Sequence, residues 1–434
     1  MAKTRKITAI ALLALASVLG AGVAQAQTAD ALVAEAWQAN PSVAAMQQHI
    51  DAAASHTAMQ AGTWPDPMLG VEYSNVPVDS LALGDHPMSG VQFKIEQRFP
   101  FPGKVARREA TAAAQEDIAR QNLSEKRNQL RAVVQRLYWR LTETRLARAI
   151  TDRHIGEIER QIANVKAKYE LGAAARHDLL RFVVLRDKLV DQRADFDRAE
   201  HELTSLLNAA RNRDPQTAIT TPAAVLPASP PHDENGLYEQ ALAKRPALAA
   251  FAAEDSVRRR AADEALREAW PDPTLWAGYR WRTEVENDQG MVVDEGVDFV
   301  SIGLAFPLPF SAAKRARAGE AEALARSRAA KQNRAAAAND LRGQLSAAVA
   351  DWRRAFAKAK NYADLILPGQ EQVLAAAGAA YRVGRAGYAD IYAARVALLD
   401  AERTALAAAT QTHLAAARVQ VLVGADLPAA GVEQ

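Results

Sequence analysis

The residues that could take part in catalysis or metal binding are few and scattered along this sequence. The chain has eight histidines and no cysteine, which excludes disulfides, thiolate metal sites and cysteine catalysis. The histidine groupings that stand out are Asp85-His86-Pro87-Met88, His232-Asp233-Glu234 and His177-Asp178. Each could touch a soft or borderline cation. Exposed loop histidines are more often simply solvated, so we predict no metal site and no cofactor.

Enzymatic chemistry and nucleic-acid binding both have little support. No nucleophile elbow, phosphate-binding loop or His-Glu-x-x-His motif occurs, and Gly62, Gly70 and Gly103 fall in predicted turns or strands. Lysine and arginine number 53 against 51 aspartates and glutamates, so no basic excess favours a nucleic acid. The sequence therefore predicts a protein that is not an enzyme and has no nucleic-acid partner.

Residues 1–26 are typical of a secretory signal peptide. Lys3, Arg5 and Lys6 precede an apolar run, and Ala24-Gln25-Ala26 forms a cleavage site before Gln27. Because Gln27 is not a cysteine, we exclude lipoprotein attachment. No other segment offers about 18 consecutive apolar residues, so a mature protein in a membrane must be there as a β-barrel.

The elements that would enter such a membrane are four segments with period-two alternation, at about 68–76, 90–99, 274–285 and 297–306. One face of each predicted strand is apolar, and aromatic residues near the strand ends fit an interfacial girdle. On the second and third strands the opposite face is charged and is predicted to face water in the barrel lumen. These lumen residues are Lys94, Glu96, Arg98, Arg280, Arg282 and Glu284.

The sequence also contains an internal duplication. Trp64-Pro65-Asp66-Pro67 recurs 206 positions later as Trp270-Pro271-Asp272-Pro273, and Phe99-Pro100-Phe101-Pro102 recurs 207 positions later as Phe306-Pro307-Leu308-Pro309. Each unit is predicted to be a helix, a hairpin, a long helix, a turn and a helix. The predicted repeats are 27–210 and 236–424, joined by a proline-rich connector at 211–235 and followed by a tail at 425–434. The predicted hinges between sheet and helix are Pro65, Pro67, Pro100, Pro102, Pro271, Pro273, Pro307 and Pro309.

Long helices follow each hairpin. From Val105 to Leu171 apolar residues recur at steps of three and four, which predicts one helix of about 100 Å. A heptad seam from Phe182 to Leu206 predicts an antiparallel coiled-coil partner. A second long helix is predicted from about Ala312 and ends before Gly384.

Four strands of about ten residues each have the length that crosses a membrane when tilted. They cannot close a barrel, because membrane barrels begin at eight strands and an open edge in lipid leaves unpaired backbone groups. The chain is therefore predicted to form at least a dimer, in which several copies share one barrel.

Taken together, the duplication, the two hairpins, Trp-Pro-Asp-Pro, Phe-Pro-Phe-Pro-Gly-Lys and the two turns resemble the TolC family of outer-membrane efflux proteins. The resemblance covers essentially the whole mature sequence. It implies a mainly α fold: a homotrimer with a twelve-strand membrane β-barrel and a long periplasmic α-helical barrel. It also implies a location in the cell outer membrane, with a periplasmic adaptor and an inner-membrane resistance-nodulation-division pump as partners.

The turns at Tyr169–Leu180 and Tyr381–Ile391 resemble the tip pattern of that family, where adaptors dock and the tunnel constricts. The resemblance implies that Asp178 and Asp390 line the tip constriction. It assigns the adaptor-docking turns to Gly172, Gly384, Arg181 and Arg395, and the two arginines are predicted to pair with the tip acids.

Trp-Pro-Asp-Pro with Pro-Phe-Pro-Gly-Lys is more similar to the heavy-metal branch, which serves pumps for copper, silver, cobalt, zinc or cadmium. The function this implies is a passive exit duct for heavy-metal cations. The alternatives are a multidrug duct, a type I protein-secretion duct or, from another class, a soluble periplasmic coiled-coil scaffold.

Overall fold

The computed structural model describes residues 27–286 and 289–426. The predicted signal peptide and residues 427–434 of the predicted tail lie outside the described residues. The chain divides into two compact units. The strand unit comprises Met46–Leu123 and Pro246–Ala338, and the helical unit comprises the described residues up to Ala45, Ser124–Arg245, and those from Asn339 onward. Within the described residues, no helix has both the length and the apolar character needed to cross a membrane.

The order of elements follows the predicted duplication. In chain order they are α1 (Ala29–Ala39), α2 (Pro41–Gln60), β1 (Met68–Ser74), β2 (Gly90–Arg98), α3 (Lys104–Glu170), α4 (Arg176–Ala210), α5 (Glu234–Lys244), α6 (Pro246–Arg267), β3 (Thr274–Trp281), β4 (Val285–Glu286), β5 (Val292–Asp294), β6 (Phe299–Ala305), α7 (Ala312–Asn361), a π-helical turn (Tyr362–Ile366), α8 (Leu367–Arg382) and α9 (Tyr388–Val423). The hairpin of each repeat thus lies between helices.

In the strand unit, four strands form one antiparallel sheet in the order β1-β2-β3-β6. The predicted alternation is confirmed, because the register places most of the apolar residues of all four strands on a single face. The large exceptions, on the opposite face, are Met68, Trp276 and Phe299. The predicted hinge prolines all lie in the short segments that join this sheet to α2, α3, α6 and α7.

The predicted strand ends are wrong in detail. β3 ends at Trp281 and not at residue 285, because the Arg282 N–H donates to the Asp298 carboxylate (3.0 Å). That side-chain bond takes the place of the next bond in the backbone ladder. β1 and β2 also end before residues 76 and 99, and β6 is shorter than 297–306 at both ends. Beyond β3, two short strands that were not predicted, β4 and β5, pair with each other.

Among the helices, the predicted break at Asn40-Pro41 separates α1 from α2, and the Asn40 side chain accepts the Ser42 N–H (2.9 Å). The long helix is confirmed as α3, with 67 residues. The heptad seam on α4 holds at Phe182, where the side chain is fully buried. It fails at its far end, because Leu206 is exposed and Leu207 is buried instead.

Two other boundaries differ from the prediction. The second long helix is not continuous: a π-helical turn separates α7 from α8 just before Pro368. Proline has no N–H to donate and its ring crowds the preceding turn, which the wider π-turn accommodates. The connector ends at Asp233, two residues early, since its carboxylate accepts the Gly236 N–H (2.9 Å) and caps α5.

Candidate functional site

The sheet of the strand unit has one apolar face that is exposed to solvent in the single chain. Exposure is highest on the edge strands, where Leu69 and Val300 are 73% and 80% exposed. Large apolar side chains rarely lie together on an uncovered surface unless that surface meets a lipid or a partner. The residues of this face are Leu69, Val71, Tyr73, Val91, Phe93, Ile95, Leu275, Ala277, Tyr279, Trp281, Val300, Ile302 and Leu304.

The opposite face carries most of the predicted lumen charges. Lys94 forms an ion pair with Glu96 on the same strand and lies over the Trp276 ring, 4.9 Å from its centroid. Across the β2–β3 pair, Arg280 donates to Gln92 (2.8 Å). The polar groups on this face therefore contact one another, as expected of a face that meets water.

Arg282 and Glu284, also predicted to be lumen charges, lie beyond the end of β3. Arg282 is buried, forms an ion pair with Asp294 (2.6 Å) and donates to the Pro87 carbonyl. Glu284 is exposed. Arg282 thus holds the β1–β2 loop to the β4–β5 hairpin. The prediction that Arg282 and Glu284 face the lumen assumed a strand that continues to residue 285, but β3 ends at Trp281.

The hinge segments meet at the carboxylate of Asp272, in the second Trp-Pro-Asp-Pro motif. Its Oδ1 accepts the Phe101 N–H (2.8 Å) and the ammonium of Lys104 (2.8 Å), a lysine that is 3% exposed. Arg98 approaches the other oxygen at 3.2 Å. Burial raises the pKa of Asp272, but the bonds from Lys104 and Phe101 outweigh it and hold the pKa below its ordinary value.

Aromatic stacking reinforces this junction. The rings of Phe101 and Trp270 stack with centroids 4.8 Å apart, and the guanidinium of Arg267 lies 4.8 Å from the Phe101 centroid. Arg267 also donates to the Pro102 carbonyl (2.8 Å). One polar and aromatic cluster therefore joins the proline segment that precedes β3 to the proline segment that follows β2.

The two tip turns of the helical unit have the same backbone geometry. Gly172 and Gly384 have φ of +71° and +73°, a region that side chains with a Cβ rarely adopt. Each glycine N–H bonds back three residues, and the next N–H bonds back five residues. This is the Schellman ending of a helix, and it explains why glycine recurs at both positions.

The two tip acids differ in environment. Asp390 is exposed, and its Oδ2 accepts the Gly387 N–H (2.9 Å) at the start of α9. Asp178 lies in the first turn of α4, 3.3 Å from the imidazole of His177. Both acids are near helix N-termini, where the helix dipole stabilises a negative charge.

The predicted pairing of tip arginines with tip acids is wrong for Arg395. Its guanidinium forms an ion pair with Glu157 on α3. Arg395 lies near the N-terminus of α9, five residues after Asp390, so its side chain extends from a different face of the helix than the carboxylate of Asp390. Arg181 is exposed on α4, also outside the turn itself.

Sequence reasoning missed an aromatic cluster behind the tip. Phe182 contacts Tyr392 edge-on (5.7 Å between centroids), and Tyr381 lies 4.6 Å from Tyr388. Lys168 donates to the Tyr381 hydroxyl (2.6 Å). Burial, then the hydrogen bond with Tyr381, raises the pKa of Tyr388. The spacing of tyrosines along 381–392 was the available signal.

A second missed cluster joins α3 to α9. The His154 ring, 1% exposed, lies 2.9 Å from the carboxylate of Glu402, which also pairs with Arg153. Burial raises the pKa of Glu402, but the bonds from His154 and Arg153 reverse this and leave it lowered. Nothing in the local sequence links residues 248 positions apart.

The histidine groupings form no metal centre in the structure. The ring of His86 accepts the Met88 N–H (3.2 Å), and Asp233 caps a helix as described above. Across residues 27–286 and 289–426, no group of three or more histidine, aspartate or glutamate side chains is placed to hold an ion.

Comparisons with known proteins agree with this architecture. Residues 237–425, which nearly coincide with the second repeat, match the family model described as Outer membrane efflux protein. No curated protein matches the sequence.

Solved structures resemble the chain over almost its whole length. The outer membrane protein VceC from Vibrio cholerae is 17% identical with a TM-score of 0.72, over 92% of this chain and 96% of VceC. The MtrE outer membrane channel of Neisseria gonorrhoeae is 15% identical with a TM-score of 0.69, over 92% and 89%. CusC, described in terms of transmembrane channel formation, is 13% identical with a TM-score of 0.68, over 93% of each chain. The chain therefore has the fold of these outer-membrane proteins.

Proposed function

We propose that this chain is the outer-membrane exit duct of a tripartite efflux system. Three copies would close a twelve-strand barrel in the outer membrane and extend a helical tunnel into the periplasm. The observation that carries the proposal is the exposed apolar face of the β1-β2-β3-β6 sheet, backed by a charged face and bounded by two unpaired edge strands. Such a sheet is stable only when lipid covers one face and further strands pair with its edges.

The duct would be passive. The eight hinge prolines join the sheet to the helices, Lys94, Glu96, Arg98 and Arg280 would face the lumen, and Asp178 and Asp390 would line the tip. An inner-membrane resistance-nodulation-division pump would supply the energy through a periplasmic adaptor that docks at Gly172 and Gly384. The match of residues 237–425 to the outer membrane efflux family supports this assignment.

Heavy-metal cations are the substrate that we propose. The support is the resemblance of Trp64–Pro67 and Pro100–Lys104 to the heavy-metal branch, together with acids at the tip that would favour cations. A duct needs no tight metal site, because an ion that binds strongly leaves slowly. A deletion strain should become sensitive to metal salts and keep its resistance to antibiotics; sensitivity to antibiotics alone would indicate a multidrug duct.

Fractionation tests the membrane assignment. The protein should require detergent for extraction, resist salt and alkaline washes, and sediment as a trimer. Release with the soluble periplasmic proteins would contradict the duct and favour a coiled-coil scaffold.

Conductance tests the role of the tip. In a planar bilayer, Asp390→Lys should lower the cation preference of the purified trimer, and Asp390→Asn, which keeps an acceptor for the Gly387 N–H, should have an intermediate effect. Asp214→Lys, in the exposed connector, serves as the control and should change nothing. Unchanged conductance in both Asp390 variants would remove this residue from the lining.

A further inference from the structure

Gln27 is the first residue of the mature chain when the signal peptide is removed at the predicted site. It is half-buried in the helical unit and directly precedes Thr28, whose hydroxyl accepts the Ala31 N–H (3.1 Å) and caps α1. The start of a helix therefore fixes Gln27 from its C-terminal side.

Two other segments of the helical unit also hold Gln27. The hydroxyl of Tyr138, a buried side chain on α3, donates to the Gln27 carbonyl (2.5 Å). Thr220 in the connector makes two contacts: its Oγ1 accepts the Gln27 N–H (3.0 Å), and its own N–H donates to the Gln27 side-chain Oε1 (3.4 Å). The α-nitrogen and the carboxamide of Gln27 thus contact the same residue.

The α-amine and the side-chain carboxamide of an N-terminal glutamine can react with each other. Attack of the neutral α-nitrogen on Cδ closes a five-membered lactam, pyroglutamate, and the rate of such an intramolecular step depends on how the two groups are held. The N–Cδ bond forms and the Cδ–Nε2 bond breaks, while Nε2 takes a proton from the α-nitrogen and leaves as ammonia. Nothing is oxidised or reduced, so the reaction needs no co-reactant.

We propose that Gln27 is converted to pyroglutamate in the mature chain and that Thr220 positions it for this reaction. The Thr220 N–H would stabilise the negative charge that develops on Oε1 as the α-nitrogen attacks. The Thr220 Oγ1 would orient the α-nitrogen, which is the donor in that contact. The proposal rests on the predicted cleavage before Gln27. It goes beyond the proposed function, which does not depend on the chemical state of this residue.

The product would keep both contacts with Thr220. A lactam retains one N–H at the former α-nitrogen and a carbonyl at the former Oε1, which are the donor and the acceptor that Thr220 contacts. An α-ammonium would instead place a positive charge near Arg145. The guanidinium of Arg145 pairs with Glu200 and donates to the Ile219 carbonyl (2.6 Å) and the Thr221 hydroxyl (3.3 Å), on either side of Thr220. Cyclisation would remove that like charge.

The connector offers a matched control beside Thr220. Thr220 and Thr221 are both half-buried, but the Thr220 hydroxyl accepts from Gln27 (3.0 Å), whereas the Thr221 hydroxyl accepts from Arg145 (3.3 Å). Thr220→Val and Thr221→Val therefore remove the same hydroxyl from adjacent residues of one segment, and only the first removes the contact to the α-nitrogen. Thr220→Ser keeps that hydroxyl.

Mass spectrometry of the N-terminal peptide tests the modification. In wild type and in Thr221→Val, the peptide that begins at Gln27 should be lighter than the unmodified sequence by about 17 Da, the mass of ammonia. In Gln27→Asn the same attack would have to close a strained four-membered ring, so that peptide should keep its full mass.

Pulse-labelled protein, isolated at once and divided between native detergent buffer and urea, tests the role of the fold. The labelled peptide should lose ammonia about tenfold faster in the native half, because unfolding releases Gln27 from Thr220. In native buffer Thr220→Val should lower the rate about tenfold, the effect of one hydrogen bond on a barrier, and Thr220→Ser and Thr221→Val should keep it. The comparison between the two wild-type halves does not depend on the folding of any variant.

The other outcomes overturn the proposal and leave the proposed function standing. A mature chain that begins at another residue removes the reactive amine from Gln27, and a full-mass peptide in aged wild-type protein shows that the lactam does not form. Equal rates in native buffer and urea, or in Thr220→Val and Thr221→Val, show that Thr220 does not position the reaction. Membrane fractionation of the same cells, which decides the proposed function, is independent of these masses.

Discussion

Replacing Asp272 by alanine should weaken the junction between sheet and helices more than any other single change to an acid in the strand unit. The carboxylate is 8% exposed and accepts from the Phe101 N–H and from Lys104, both at 2.8 Å. Its removal leaves Lys104, at 3% exposure, with Glu268 at 3.4 Å as its remaining acid contact in the described residues. Breaking a buried ion pair from one side typically costs about 3–5 kcal/mol.

The matched control is Asp263→Ala. Asp263 pairs with Arg107 at 3.5 Å, and the two side chains are 65% and 46% exposed. An exposed pair of this kind contributes about 0–1 kcal/mol. Both variants therefore remove an aspartate side chain from the strand unit. They differ in that the partner of Asp272, Lys104, is buried, whereas the partner of Asp263, Arg107, is exposed.

The assay is equilibrium urea unfolding in detergent, followed by tryptophan fluorescence, to which Trp270 contributes through its ring stacked on Phe101 at this junction. Protein concentration must be held constant, because association adds to the measured stability. A difference between Asp272→Ala and Asp263→Ala of less than about 1 kcal/mol would refute the reasoning.

The pH dependence of the stability difference between wild type and Asp272→Ala provides a further check. The folded-state pKa of Asp272 is lowered, so its stabilisation is fully present above the unfolded value of about 3.9. It should disappear as the pH falls from there through the lower folded-state pKa. A difference between wild type and Asp272→Ala that persists at the acid end would mean that the carboxylate acts through packing and not through charge.

Three further changes have defined outcomes. Gly384→Ala should lower the free energy of unfolding, measured in the same urea unfolding assay, by about 1–2 kcal/mol because its φ is +73°. Gly343→Ala, inside α7 with open space around the added Cβ, should instead raise it by about 0.5–1 kcal/mol, and equal effects would contradict the turn geometry. Glu402→Ala should cost about 1–3 kcal/mol because it leaves the buried His154 without its acceptor, and the loss should shrink below about pH 4.3, the unfolded value, since the folded-state pKa is lowered. Burial lowers the pKa of His413, so wild-type stability should fall as the pH drops below about 6.5, where the unfolded chain takes up the proton first, and His413→Gln should flatten that slope; an unchanged slope would show that the ring is solvated.

Elements that depend on short-range periodicity were predicted well. The 67-residue helix α3 and the four main strands follow from the spacing of apolar residues along each segment, which differs between a helix and a strand. The glycines at the two tip turns were assigned from the family resemblance, and the Schellman endings found there depend on a few consecutive residues.

Errors arose where a distant group decides a local outcome. The prediction continued β3 to residue 285, because Arg282 and Glu284 maintain the alternation. The strand stops at Trp281 because Asp298, 16 positions away, takes the Arg282 N–H. The family resemblance likewise paired Arg395 with a tip acid, while its partner is Glu157 on another helix.

The sequence by itself determined the duplication, the alternation of the strands and the proline motifs, because each is a property of residues within one or two turns or of the comparison between two halves. The tertiary structure decided which of the two repeated motifs is buried. Identical Trp-Pro-Asp-Pro motifs become a buried carboxylate at Asp272 and an exposed one at Asp66, because Phe101 and Lys104 pack against the first. Whether an aspartate is buried depends on what packs against it, and that depends on contacts more than 150 positions apart in the chain.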